Sequence, residues 1–513
     1  MVAPGRRTPR WTFALVSAGG VVMTLDVTVV NVALPDIARD LAAGLDRVQW
    51  TVSAYSLAFG ALLLTAGALS DRIGRRTVFM AGMALFTVAS AGCGLAPDTG
   101  TLIICRAAQG LGGAMVFAPT LALIAAAYEG ARRRAAIAAF AAIASAAGAL
   151  GPVLGGLFVQ VLGWRWIFLV NVPIGVLVVA GALARMPASS DEEPAATRRL
   201  DPLGAVLGVG ALLALHYPLV TGPEAGWTAP EVLGPAAAGL ALTAALVVSQ
   251  RRGDGLIDLT LLRVRAFSGA AVLGFLARMS GLGALAFLTL WLRSAYGYSA
   301  LEAGLRLLPL TGSLLLAGLC VSRLQKVFAP DALVAGGFAL QGLGMLALAV
   351  AGGGTPVALE AMGEGAGQAA TVTGLVLLGI GGAVIFPPLM GVAVGAVPAG
   401  RAGMASGLTN ACYPLGTATG VAVFGALFSA RLGAGLGAAA PLRPAVETGR
   451  FDLVAPALQP LARSAFSGAF TAVCLASAAV CLLGVLLART LRAAAGPVTE
   501  AAGRPLPRTA RTP

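Results

Sequence analysis

The sequence predicts an all-α polytopic membrane protein with fourteen transmembrane helices. Of its 513 residues, 58% are hydrophobic and only 11% are charged, whereas soluble globular proteins carry about 25% charged residues. The apolar residues fall in runs of about 20, the length that a helix needs to cross a hydrocarbon core of about 30 Å. Barrel strands would be shorter and would alternate in polarity, so the spans are predicted to be helices.

Fourteen runs are long and apolar enough to cross a bilayer, with boundaries uncertain by several residues. The 69 glycines of the chain agree with this prediction, because small residues let helices approach closely in lipid. The predicted spans are 11–33, 48–69, 78–96, 101–125, 135–159, 166–184, 203–221, 232–250, 267–292, 302–321, 332–352, 369–397, 404–430 and 466–488.

Loop charges predict the orientation of these spans. Most of the 35 lysines and arginines lie in alternate loops and at the two termini. The positive-inside rule therefore places both termini in the cytoplasm and the spans in the cell membrane. Because the arginines are spread over short loops, the net charge of +13 is not taken to indicate nucleic-acid binding.

The predicted organisation is six, two and six spans. Polar segments at 191–201 and 250–265 bracket one pair of spans between two longer blocks, as in an internally repeated transporter. The predicted units are an N-terminal six-helix bundle (1–186), two inserted helices with their flanking loops (187–265), a C-terminal six-helix bundle (266–491) and a disordered cytoplasmic tail (492–513).

Asp26 is the single acidic residue placed deep within a predicted span. A carboxylate there costs about 2.5–3.5 kcal/mol on insertion scales, and such residues usually face a protein interior or a wet cavity. At 1.5 Å per residue, Asp26 and Arg106 both lie about 8 Å below the outer face. An acid and a base at the same depth can pair, either as a working switch or as a permanent structural ion pair.

Three further features mark candidates for a central cavity. Arg278 lies about 16 Å into its span, where it could bind an anionic group or pair with backbone carbonyls. Pro387 with Pro388, and Tyr413 with Pro414, are expected to interrupt two spans, and helix breaks near the midplane often line substrate paths.

Glu302 and Arg306 are four residues apart at an outer helix end, so a local ion pair is predicted, with a second protonation site as the alternative. His216, the single histidine, lies near the outer end of the seventh span and is expected to be a satisfied interfacial residue and not a proton relay. Neither histidine nor cysteine has metal-ligand spacing, and no nucleotide-binding Gly-Lys loop occurs, so neither a metal site, a cofactor nor an enzyme is predicted.

Four patterns, in order and at matching topological positions, resemble the major facilitator superfamily, and within it the fourteen-span drug:proton antiporter group. The resemblance covers essentially the whole chain and implies the major facilitator fold. The patterns are Leu25-Asp26-Val-Thr28-Val-Val-Asn31-Val-Ala-Leu34-Pro35, Gly67-Ala-Leu69-Ser-Asp71-Arg72-Ile-Gly74-Arg75-Arg76, Leu102-Ile-Ile-Cys-Arg106-Ala-Ala-Gln109-Gly110 and Gly148-Ala-Leu-Gly151-Pro152-Val-Leu-Gly155-Gly156.

The second pattern holds an inner gate in the family that it resembles. Its acid, here Asp71, would meet the N-terminus of the helix that begins near Met404, where a helix dipole favours negative charge. The alternative is that the loop arginines only anchor the chain on the cytoplasmic side. The residues of this predicted gate are Gly67, Asp71, Arg72, Gly74, Arg75 and Arg76.

The fourth pattern is the antiporter signature of the resembled family. Glycines spaced by three and four residues make a flat helix face, and a proline bends the helix. The alternative is ordinary tight packing at each glycine. The residues are Gly148, Gly151, Pro152, Gly155 and Gly156.

The resemblance implies a monomeric, proton-driven exporter of lipophilic small molecules, with Asp26 and Arg106 as the coupling pair. Asn31 and Gln109, which follow them in their patterns, are further cavity candidates. Many relatives carry Arg-Gln where Tyr413-Pro414 stand here, so the substrate range does not transfer. Two alternatives are a proton-coupled importer of a small solute and a non-transporting receptor or scaffold.

Overall fold

A computed structural model describes residues 8–187, 201–251, 259–353, 364–397 and 402–494. Within these residues, fourteen helical segments are long and apolar enough to cross a membrane, which confirms the predicted number of spans. Most of the predicted tail (492–513) and parts of the two polar segments that bracket the inserted pair lie outside the described residues.

The first six spans are built from seven helices, because the sixth span consists of two. We call these helices the N-terminal half. In chain order they are α1 (Thr8–Asp40), α2 (Leu45–Ile73), α3 (Arg75–Gly94), α4 (Thr99–Ala127), α5 (Gly130–Leu162), α6 (Trp166–Leu169) and α7 (Asn171–Arg185).

Two inserted helices follow, and then the helices that we call the C-terminal half. The inserted helices are α8 (Pro202–Ala225) and α9 (Pro230–Arg251). The C-terminal half comprises α10 (Arg265–Ser280), α11 (Leu282–Tyr296), α12 (Ala300–Arg306), α13 (Leu308–Leu324), α14 (Pro330–Gly353), α15 (Glu364–Gly395), α16 (Ala402–Leu436), α17 (Arg443–Glu447) and α18 (Gln459–Leu487).

Sequence signals at the helix ends explain several of these boundaries. Gly74 separates α2 from α3 with φ of +99°, a left-handed conformation that favours glycine. Asp98 caps α4 by accepting a hydrogen bond from the Thr101 N–H at 2.8 Å. Asp201 caps α8 in the same way, directly before a proline at the first helical position.

The predicted interruptions at proline are wrong. Helix α15 continues through Pro387 and Pro388, and α16 continues through Pro414. A proline removes one backbone hydrogen bond, and in a transmembrane helix the surrounding structure can compensate for it.

The ninth span breaks instead at Gly281, between α10 and α11. Polar side chains from neighbouring helices donate hydrogen bonds to carbonyls there, in addition to the bond from the Gly281 N–H to the Ala277 carbonyl at 3.0 Å. Gln341 donates to the Ala277 carbonyl at 3.2 Å, and the Ser477 hydroxyl donates to the Ser280 carbonyl at 2.9 Å. The break is thus held by the hydrogen bonds that buried backbone groups require.

The two halves meet along two seams, α2 with α16 and α5 with α12. We call the end of the bundle that holds the α2–α3 turn the Arg72 end, and the opposite end the Arg293 end. Inserted helices α8 and α9 pack against each other, and α8 also contacts α2 and α16. His216 of α8 is buried, and its ring lies edge-on to Trp50 at 5.0 Å. Its Nε2 has no hydrogen-bond partner among the described residues, so the prediction that this histidine is satisfied is wrong.

Candidate functional site

A buried ion pair joins α1 to α4 in the N-terminal half. Arg106 donates from Nη1 to Oδ2 of Asp26 at 2.5 Å, and both side chains are excluded from solvent. The pairing that their matching depth predicts is therefore present. Because the two charges cancel, burying them together costs less than burying either alone.

Backbone, amide and aromatic groups surround the guanidinium of Arg106. Its Nε donates to the Thr51 carbonyl at 2.9 Å, and Nη1 also donates to Oε1 of Gln109 at 2.8 Å. Its plane lies over the ring of Tyr55, 4.5 Å from the centroid, which is a favourable cation–π distance. Helices α1, α2 and α4 thus converge on one cation.

The carboxylate of Asp26 has partners besides Arg106. Gln109 donates to its Oδ1 at 3.3 Å and to the Ser90 hydroxyl at 2.7 Å, and Asn171 approaches Oδ1 at 3.5 Å. Gln109 is completely buried in this conformation, and its role as a cavity residue stays a prediction. The extra polar residues explain how an ion pair is tolerated in an apolar interior.

The glycines of the fourth sequence pattern bring α5 against α1 on both sides of Asp26. A Cβ at Gly148 would lie 3.2 Å from the methyl group of Thr24, and a Cβ at Gly151 would collide with the hydroxyl of Thr28. Side chains at these positions would push α1 away from α5. The glycines therefore fix the position of the helix that carries Asp26.

Gly156, in the same pattern, faces the other half of the molecule. A Cβ there would collide with the Ala300 carbonyl of α12, and a Cβ at Gly304 would collide with the Pro152 carbonyl of α5. Backbones in such close contact leave no passage between α5 and α12 at the Arg293 end. The same pattern thus positions α1 and closes the α5–α12 seam.

A second ion pair, which the sequence reasoning missed, joins the halves at the same end. Arg293 of α11 pairs with Asp36 of α1 and donates to the Val32 carbonyl at 3.2 Å. Both charged residues lie near the outer ends of their predicted spans. The depth comparison that predicts the Asp26–Arg106 pair would have found them too.

Arg278 of α10 has no partner of this kind. Among the described residues it makes no hydrogen bond or ion pair, and its Nε is buried and unsatisfied. Its guanidinium lies over the rings of Phe386 and Tyr413, 4.5 and 5.8 Å from their centroids. The alternative that Arg278 pairs with backbone carbonyls is not observed in this part of the chain.

The remaining candidates have different environments. Asn31 is buried and donates to the Val27 carbonyl, while its Oδ1 has no partner. Pro387 is exposed. The predicted ion pair between Glu302 and Arg306 is wrong: the carboxylate instead completes a capping box with Ser299, and the arginine lies over the ring of Tyr298.

The predicted inner gate lies at the Arg72 end. Asp71 and Arg75 approach to 4.0 Å, Arg76 donates to the Leu183 carbonyl at 2.9 Å, and Arg72 is exposed. A Cβ at Gly67 would meet no heavy atom within 4 Å. Contact of Asp71 with the start of α16 stays a prediction, because residues 398–401 just before it lie outside the described residues.

Comparisons with known proteins agree on one family. The model of the Major Facilitator Superfamily matches residues 16–421. The chain is 37% identical to Multidrug resistance protein Stp of Mycobacterium tuberculosis (strain CDC 1551 / Oshkosh) over 434 residues, 84% of this chain and 78% of the relative. It is 36% identical to the Tetracenomycin C resistance and export protein of Streptomyces glaucescens over 438 residues, 84% of this chain and 78% of the relative.

A solved structure shares the fold. A bacterial homolog of the human lysosomal transporter Spinster superimposes with a TM-score of 0.65, covering 96% of this chain and 99% of the other at 16% sequence identity. The family match over most of the sequence, the two relatives and the fourteen-span helical fold lead to one conclusion. The chain is a multi-pass membrane protein that belongs to the Major Facilitator Superfamily.

Proposed function

We propose that the protein is a proton-coupled antiporter that exports lipophilic organic compounds across the cytoplasmic membrane. It works as a monomer, and both of its termini lie in the cytoplasm. Membership of a transporter superfamily supports transport, and the names of the relatives, which refer to drug resistance and export, support the direction. The arginine-rich alternate loops support the orientation.

The observation that carries the proposal is the Asp26–Arg106 pair. The pair is neutral overall and sealed from solvent. Protonation of Asp26 would leave Arg106 as an uncompensated buried charge, and such a charge is strongly destabilising. One proton therefore changes the relative energies of the conformations that bury or expose this region, which is what a coupled transporter needs.

The cycle follows from this difference in energy. A proton from the outside neutralises Asp26, releases Arg106 and favours the conformation that opens to the cytoplasm. Substrate then enters between the halves, and release of the proton to the cytoplasm restores the pair. The halves then rock, the seal at Gly156 and Gly304 opens, and the substrate leaves on the outer side.

The contacts between the halves indicate where the path for substrate is closed in this structure. The halves touch at the Arg293 end through Gly156 and Gly304. Toward the Arg72 end, the first turns of α5 and the last turns of α13 are mostly exposed. With the Arg72 end in the cytoplasm, the contact between α5 and α12 lies on the outer side, where substrate would leave.

The test is Asp26→Asn, which keeps the size and much of the hydrogen bonding but cannot exchange a proton. A susceptibility panel in a pump-deficient bacterial host first identifies an exported compound. In inverted vesicles with an acidic interior, wild-type protein should release protons when that compound is added, as reported by a pH-sensitive acridine dye. Asp26→Asn should lose at least about tenfold of this signal while inserting normally.

Asp98→Asn is the matched control. Asp98 lies outside the spans, and the backbone N–H of Thr101 holds the pKa of its carboxyl below the usual range, so it stays ionised at the pH of the assay. Asparagine is an equally good helix cap, so this variant should transport normally. Undiminished proton-coupled efflux by Asp26→Asn would rule out the assignment.

A further inference from the structure

We propose that Arg278, Phe386 and Tyr413 form a subsite that binds the deprotonated acidic group, a carboxylate or phenolate, of an aromatic substrate. We call these three side chains the Arg278 subsite. The inference rests on the proposed function, because it names the class of compound that the transporter carries. It is carried by an unsatisfied cation in the C-terminal half.

The first step concerns charge. Arg278 lies about 20 Å along α10, near the middle of the ninth span. Guanidinium has five N–H donors, and Arg278 donates none of them to the described residues. Asp26 and Arg106 neutralise each other, so they do not offset this charge. A cation in such a place attracts an anion.

The second step concerns the walls. The rings of Phe386 and Tyr413 meet at 69° with centroids 4.9 Å apart, and Arg278 lies against both. Tyr413 packs so closely on α10 that a Cβ at Gly274 would collide with its ring. The rings therefore lie against the guanidinium without accepting a hydrogen bond in its plane, so its N–H donors still lack acceptors.

The third step concerns a second donor. The hydroxyl of Tyr413 is buried and has no hydrogen-bond partner. Two unsatisfied polar groups thus lie together on α10 and α16, both on side chains that are partly accessible. A carboxylate or phenolate oxygen can accept from both, while the aromatic part of the substrate packs on Phe386. Binding would supply the partners that buried polar groups normally have.

The first experiment measures binding to the purified protein by calorimetry. The probes are three aromatic carboxylates of increasing ring number, benzoate, 1-naphthoate and 9-anthroate, and their three amides. Wild-type protein should bind at least one acid more tightly than its amide. Arg278→Gln should weaken binding of that acid about tenfold to hundredfold, and Tyr413→Phe about threefold to tenfold, because each removes a donor to the anion.

The matched control is Arg306→Gln, which removes an arginine that also lies over an aromatic ring but is exposed at the Arg293 end. It should leave binding of the acids unchanged. The subsite would be overturned if the wild-type protein bound no acid more tightly than its amide, or if Arg278→Gln lost acid and amide binding equally. It would also be overturned if Arg278 bound inorganic chloride and the protein had no affinity for the aromatic acids.

The second experiment separates this inference from the proposed function. Vesicle efflux is measured for the compound found by the susceptibility panel and for the acid that binds best. If anionic compounds are exported and Arg278→Gln exports all of them as well as the wild type does, the subsite is overturned and the proposed export function stands. Arg278-dependent binding without export of any compound would support the subsite and overturn the exporter.

Discussion

Arg106 in the N-terminal half and Arg278 in the C-terminal half both lie deep among the helices, but their hydrogen-bond partners differ. Arg106 has a carboxylate, a backbone carbonyl and an amide oxygen as acceptors. Among the residues that the structure describes, Arg278 has as partners only the faces of two rings. The N-terminal cation is completed by the protein itself, whereas we infer that the C-terminal cation is completed by a bound ligand.

The helices that carry these groups differ in the same sense. Helix α1 is continuous, and glycines of α5 lock it in place on either side of Asp26. The span that carries Arg278 breaks three residues later, at Gly281. We infer that the N-terminal site binds and releases a proton, because protonation changes only the charge of Asp26. The C-terminal site, in contrast, binds a larger ligand, which requires space between the helices.

The largest expected effect is on stability when the paired arginine is removed. Arg106→Gln leaves Asp26 as an unpaired buried acid, which should cost about 3–5 kcal/mol of unfolding free energy. The measurement is unfolding in mixed micelles of detergent and dodecyl sulfate. Arg278→Gln, assayed beside it, should show no comparable loss.

The double variant Asp26→Asn/Arg106→Gln is the control for that prediction. With both charges gone, it should recover much of the stability lost by Arg106→Gln, giving a coupling energy between the two sites. Additive losses in the double variant would show that the pair does not act as a unit, and would remove the contrast between the two arginines.

An intermediate effect is expected at the contact between α5 and α1. Gly151→Ala places a methyl group against Thr28, two residues from Asp26, and should cost about 1–3 kcal/mol and reduce proton-coupled efflux. Thr28→Ala in the same protein removes the hydroxyl but leaves the Cβ of residue 28 at 2.7 Å from the new methyl group, so it should restore both properties only in part. Stability is measured as above and efflux in inverted vesicles.

Gly336→Ala is the matched control, because a Cβ there would meet no heavy atom within 4 Å. It should leave stability and efflux close to the wild type. If Gly151→Ala behaves like Gly336→Ala, then α5 does not fix the helix that carries Asp26, and the rigidity assigned to the N-terminal site is wrong.

The sequence predicts the spans and the N-terminal pair well for a physical reason. Each span must satisfy its own backbone in lipid, so a run of apolar residues is enough to predict a helix. Depth along a span is fixed by the helical rise, so charges at one depth, such as Asp26 and Arg106, can be matched without knowing the packing. Asp36 and Arg293 also lie at matching depths, so the same comparison would predict their pairing.

Other features depend on neighbours in space, which the sequence does not supply. The sequence predicts helix breaks at Pro387 and Pro414, where the helices are continuous, while the break at Gly281 lies beside hydrogen bonds from Gln341 and Ser477 of two other helices. The rings beside Arg278 come from α15 and α16, more than a hundred residues away along the chain. Such sites form only when the helices assemble.

The smallest expected effect on stability is that of replacing Arg278, and it distinguishes the two halves most clearly. The free-energy cost of burying the Arg278 guanidinium is offset by contact with two rings, worth about 0.5–2 kcal/mol. No acceptor among the described residues reduces this cost further. Arg278→Met, which keeps an unbranched apolar side chain, should therefore unfold within about 1 kcal/mol of the wild type or somewhat later. The same variant should lose its preference for aromatic acids, so that stability and binding move independently. A loss of stability as large as that of Arg106→Gln would mean that the folded protein already satisfies this cation, and the two arginines would then play the same structural part.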